Sequence, residues 1–114
     1  MTRGFVRLLE FEKQCKSMGL NEDNIREIEN IILDNPTIGD VIPGTGGVRK
    51  FRYALPNTGK SGGARVIYID FIRYEKTYLI TAYNKGVTDN LSKAEQNELK
   101  KFVKILETEA GKGG

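Results

Sequence analysis

Histidine is absent from this 114-residue sequence, and cysteine occurs once, at Cys15. The first absence removes the side chain that most often moves protons near neutral pH, and with it thiol–imidazole pairs and histidine-containing zinc sites. The second removes any internal disulfide, so Cys15 reads as a core residue of a helix. Long apolar runs are also missing. No stretch approaches the ~20 residues that cross a bilayer, and the N-terminal MTRGFVRLLEFEKQ alternates charge and hydrophobe where a secretory signal would be continuously apolar. These absences predict a cytoplasmic protein with no membrane segment. Negative charge is lacking locally as well, since no carboxylate lies between Asp40 and Asp70.

The chain supplies enough residues for one hydrophobic core, so residues 1–114 are read as a single domain. Its net charge of +3 is unevenly spread. Between Gly47 and Lys85 stand eight basic residues (Arg49, Lys50, Arg52, Lys60, Arg65, Arg73, Lys76, Lys85) against two acidic ones, Asp70 and Glu75, leaving the remainder of the chain net negative. A local cationic surface of this kind attracts a polyanion, whereas an ordinary solvated face mixes both signs.

Periodicity predicts an α+β fold in the order β-α-α-β-β-β-α. Phe5 to Leu9 reads as a short strand and Phe11 to Met18 as an amphipathic helix closed by Gly19. Asn21 caps a second helix with Ile25, Ile28, Ile31 and Ile32 on its apolar face, and Asn35-Pro36 ends it. The glycine-rich IGDVIPGTGG reads as a loop. From Val48 the period changes to two: Phe51 and Tyr53 face the core, Lys50 and Arg52 the solvent. A turn containing Pro56, Asn57, Gly59, Gly62 and Gly63 leads into ARVIYIDFIRY, with Arg65 near the turn. In TYLITAYNK, strict alternation sends Tyr78, Ile80 and Ala82 one way and Leu79, Thr81, Tyr83 and Lys85 the other. Ser92 and Glu95 form a capping box for a last helix that buries Leu99, Phe102, Val103 and Leu106, and the terminal GKGG is expected to fray.

ALPNTGKS, residues 54–61, nearly fits a phosphate-binding loop. That loop works by aiming a helix N-terminus at phosphates, and here Ser61 leads into glycines and a β-branched strand, which argues against nucleotide binding.

GTGGVRKFR, the glycine-rich turn into GGARVIYID, and YLITAYNKG before a closing helix resemble the RelE/HigB family of bacterial type II toxins, most closely the HigB branch, over nearly the whole chain. The resemblance implies a microbial-RNase-type fold with a small antiparallel sheet packed against helices. It implies entry into the ribosomal A site, cleavage of messenger RNA, and inhibition by a cognate helix-turn-helix, HigA-like antitoxin. Family positions carry over to Lys50 and Arg52 on the strand after the second helix, to Arg65 opening the next strand, and to Lys85 ending the last, with Tyr83 beside it. The sequence departs from many members in having no aromatic residue after Phe102.

The chemistry can be argued separately. Cleavage by the RNA's own 2′-hydroxyl needs a proton acceptor, cations for the phosphorane and a donor for the leaving oxygen, and yields a 2′,3′-cyclic phosphate or 3′-phosphate. A lysine crowded by cations gives up its proton more readily, which makes Lys50 the expected base. Arg52 and Arg65 are the phosphate clamps, Lys85 a second clamp or donor, and Tyr83 a stacking or positioning residue. Arg49, Lys60 and Arg73 are assigned to RNA contacts. No cofactor or metal is expected. Two other functions fit the same fold: a ParE-like toxin that inhibits gyrase, and a non-catalytic RNA-binding module.

Overall fold

The computed structural model describes residues 4–55, 63–84 and 91–112. Five strands form one sheet: β1 (Gly4–Arg7), β2 (Asp40–Val41), β3 (Arg49–Tyr53), β4 (Ala64–Phe71) and β5 (Lys76–Asn84), in the spatial order β1-β5-β4-β3-β2. Three helices accompany them, α1 (Leu9–Ser17), α2 (Glu22–Asp34) and α3 (Lys93–Lys112). The expected α+β order holds, with β2 as an addition. The sheet is mixed and not purely antiparallel, because β1 runs parallel to β5 while every other pair is antiparallel. Local periodicity marks a strand without saying which neighbour it joins, and the partner of β1 lies at the far end of the chain.

Both faces of the sheet are covered, so the strands alternate between two cores. On one face Phe51, Tyr53, Val66, Tyr68, Leu79 and Ala82 pack with Phe11 and Cys15 of α1 and with Ile25, Ile28 and Ile32 of α2. On the other, Val48, Ile67, Ile69, Tyr78 and Ile80 meet Val103, Leu106 and Ala110 of α3. Full burial of each large apolar side chain contributes roughly 1.5–3 kcal/mol. Cys15 is fully buried, and burial pushes its thiol up to about 11, which fits a packing role.

Local chemistry sets the helix ends. Asn21 and Asn24 exchange side-chain and backbone hydrogen bonds at the start of α2, and Ser92 and Glu95 do so before α3. The first helix starts at Leu9, two residues earlier than expected, with Glu10 and Glu12 in its first turn, where the helix dipole favours acidic residues. α3 continues through Gly111 and Lys112, so half of the segment expected to fray is helical. Arg7 joins β1 to α2: its guanidinium grips Glu29 through Nε and NH2 at 2.8 and 3.1 Å and reaches Glu22 at 2.7 Å.

Strict alternation fails once, in β5. Ile67 pairs with Thr81 but Tyr68 pairs with Leu79, leaving Ile80 as an extra residue. This bulge sends Ala82 to the α1/α2 core while Ile80 stays with the α3 core. It also sets Leu79 on the face opposite Thr81 and Tyr83.

Candidate functional site

Residues paired across an antiparallel ladder share a face, so the register collects side chains into rows. One row runs Asp40, Lys50, Ile67, Thr81; the next runs Arg52, Arg65, Tyr83. Both lie on the α3 side of the sheet. On that side α3 packs Val103, Leu106 and Ala110 into the core with Ile67, Ile69 and Tyr78, and its first half, through Leu99, reaches the groove beside Thr81 and Tyr83. Lys50, Arg65 and Tyr83 are half-buried and Arg52 is exposed. These four residues from three strands therefore converge because β3, β4 and β5 are antiparallel neighbours, and each arginine stands directly opposite the other. Gly63 makes room at the start of β4: a Cβ there would stand 2.8 Å from Arg52 Nε.

Lys50, Arg52 and Arg65, together with Ile38, Gly39, Asp40 and Phe51, line a shallow pocket of about 470 Å³. Beyond Thr81 and Tyr83 the face continues into a more apolar groove of about 460 Å³, bounded by Ile42, Ile67, Ile80, Leu91 and Leu99. Like-charged side chains crowded on a β-surface repel one another, an arrangement that becomes favourable when an anion bridges them. Glu10, Gln14 and Glu95 also line the second groove, so it carries carboxylates where the first pocket carries mainly cations.

The other residues assigned from sequence fall elsewhere. Arg49 lies in the row Arg49–Tyr68–Leu79 on the α1/α2 face, and its NH1 donates to the carbonyls of Thr37 and Gly39 at 2.9 and 3.1 Å. Arg73 sits in a single 3-10 turn, Ile72–Tyr74, with its guanidinium 5.5 Å from the Tyr74 ring centroid. That turn follows the far end of β4, roughly 20 Å along the strand from Arg65. Lys60 and Lys85 lie outside the described residues, as does most of the ALPNTGKS segment. After Gly63, however, the chain enters β4 and not a helix, so the geometry of a phosphate-binding loop is missing there.

One side chain at the pocket escaped the sequence reading. Asp40 marked only the boundary of the acid-free stretch, yet β2 lays it directly across from Lys50. Lys50, expected from the sequence among clustered cations, thus has an acidic residue as its direct neighbour across the ladder. A two-residue strand carries no periodicity, so its pairing left no signal in the sequence. Tyr68 is also near the site, but burial pushes its hydroxyl up to about 12, and it donates to Ile38 O at 2.7 Å as a latch on the loop before β2.

A sequence model of the RelE toxin of the RelE/RelB toxin–antitoxin system matches residues 7–112. The match takes in the last residue of β1, the other four strands, all three helices and every residue that lines the cationic pocket. This chain therefore belongs to the RelE toxin family, whose members in general cleave messenger RNA, and is the toxin of a toxin–antitoxin pair.

Proposed function

We propose that the chain is a ribosome-dependent endoribonuclease of the HigB branch that cuts translated messenger RNA in the A site and so halts translation. The observation that carries this reading is the row Arg52–Arg65–Tyr83 with Lys50 one step away, the three cations lining one shallow pocket. Arg52 and Arg65 hold the scissile phosphate through their planar forks, and Lys50 adds a compact charge for the phosphorane. Lys50 is also the one cation of the three that can exchange a proton. Tyr83 supports a neighbouring base, and Lys85, which lies outside the described residues, is assigned to the phosphate by its family position alone. The 2′-oxygen attacks phosphorus, and the product is a 2′,3′-cyclic phosphate or its 3′-phosphate.

No step in this chemistry calls for a metal, so cleavage proceeds in chelator. A helix-turn-helix antitoxin of the HigA type holds the toxin inactive in the cytoplasm. Primer extension on messenger RNA during induced expression tests the proposal. New 5′ ends inside translated codons, lost when translation initiation is blocked, are the expected result. Intact message in a growth-arrested culture would instead favour a gyrase-directed or purely binding role.

A further inference from the structure

We propose that Asp40 is the general base of the cleavage reaction, an inference that rests on the ribonuclease function proposed above. Asp40 is exposed on the rim of the pocket that holds Lys50, Arg52 and Arg65. Among the described residues its carboxylate makes no hydrogen bond or ion pair, and neither does the Lys50 ammonium opposite it. The side chain thus contributes nothing visible to the fold.

Its backbone, by contrast, is anchored from three sides. Arg49 donates to Gly39 O and Thr37 O from the other face of the sheet. Tyr68 donates its hydroxyl to Ile38 O. Gly39 itself adopts φ +88° and lies so close to β3 that a Cβ would stand 2.1 Å from Lys50 O. Directly opposed residues of an antiparallel pair have Cβ atoms about 4.5–5.5 Å apart, so these anchors fix a carboxylate at the edge of the phosphate pocket.

A carboxylate in that position opposes the binding of a polyanion. Its presence makes physical sense if it acts on the substrate, and an ionised carboxylate accepts protons without needing the special surroundings a lysine base requires. In the reaction the 2′-hydroxyl proton passes to an Asp40 oxygen as the 2′-oxygen forms its bond to phosphorus. The bond from phosphorus to the 5′-oxygen breaks, its electron pair stays on that oxygen, and water supplies the proton. Asp40 then returns its proton to solvent, while Lys50, Arg52 and Arg65 keep theirs and neutralise the phosphorane.

The test is single-turnover cleavage on programmed ribosomes at saturating toxin, with ribosome affinity measured separately. Asp40→Asn preserves size and folding and should bind as tightly as the parent or a few-fold tighter. Its cleavage should fall by at least tenfold and on the order of 100-fold, with Asp40→Glu recovering part of the loss. A merely structural or binding role would lower affinity along with the rate, whereas loss of the base slows cleavage at parental or higher affinity. An Asp40→Asn rate within tenfold of a cleaving parent, or a loss of affinity that accounts for the slower cleavage, overturns the assignment of Asp40 alone. A parent that leaves message intact on the ribosome overturns the ribonuclease proposal, and this inference with it.

Discussion

Charge by itself does not distinguish Lys50, Arg52 and Arg65, but their substitution should. With the proton taken by Asp40, Lys50→Arg retains the positive charge and should cleave within about tenfold of the parent in single-turnover assays. A fall of ~100-fold at unchanged affinity would return the base to Lys50. Arg65 should behave as a phosphate contact. Ribosome affinity falls with salt as counterions are released from RNA, and Arg65→Ala should lower the slope of log affinity against log salt by about 0.7–0.9. An unchanged slope removes Arg65 from the phosphate contacts. These cations were legible in the sequence because two-residue alternation separates Lys50 and Arg52 from Phe51 and Tyr53 whatever the strand pairs with. The same alternation places Arg49 on the face of Phe51, but only the fold shows that its guanidinium is engaged with Thr37 and Gly39 carbonyls.

At the scale of elements, the site depends on two irregular pieces. The first is the short strand β2, placed by Gly39 and steadied by Thr45, whose buried hydroxyl donates to Ile42 O at 2.7 Å and accepts from Val48 N at 3.2 Å. Gly39→Ala combines an unfavourable φ with a collision against Lys50 O, and should cost about 1–3 kcal/mol of stability. In urea denaturation the variant should remain cooperative with a lower midpoint, and its cleavage should fall with that of Asp40→Asn because the carboxylate has moved. A parental midpoint would show that β2 is not held as described. The second piece is the bulge at Ile80. It lets a strand whose inner half serves the α3 core turn Tyr83 toward Arg65 at its outer half. Alternation assigned Tyr83 and Thr81 to one face correctly but grouped Ala82 with Ile80, because an inserted residue resets the period and leaves no compositional mark.

For the whole molecule, stability is tied to the link between β1 and α2. The Arg7 guanidinium beside Glu22 holds that carboxyl below its usual range, and Ser92 does the same for Glu95 at the start of α3. A carboxylate whose folded pKa is depressed contributes stability above its unfolded value, ~4.3, that is lost as pH falls through the folded one. The melting midpoint should therefore be flat from neutrality to about pH 5 and decline below about pH 4. Arg7→Gln should lower the neutral-pH stability by about 1–3 kcal/mol by leaving Glu29 half-buried without its partner, and should flatten the acid decline. An Arg7→Gln protein with parental stability in urea would show that β1 docks without this link. In cells, expression of the chain alone should arrest growth and translation, and an adjacent helix-turn-helix antitoxin should restore both. Unrestrained growth with abundant folded protein would contradict a toxin.

The amino-acid sequence by itself determined which residues are inside and which segments are helical. The spacing of Ile25, Ile28 and Ile32, the capping residues Asn21 and Ser92, and the alternation around Phe51 each act within a few residues and need no distant partner. It also determined that any proton transfer here proceeds without histidine, and that positive charge dominates residues 47–85. The tertiary structure alone decided that β1 joins β5, that α3 packs on the face opposite α1 and α2, and that Arg52, Arg65 and Tyr83 form one row. It also decided that Asp40 stands opposite Lys50. All of these are contacts between residues distant in the chain, set by strand order and register. Those follow from how two cores can be buried on the two sides of one sheet, a condition on the whole chain that no local pattern records.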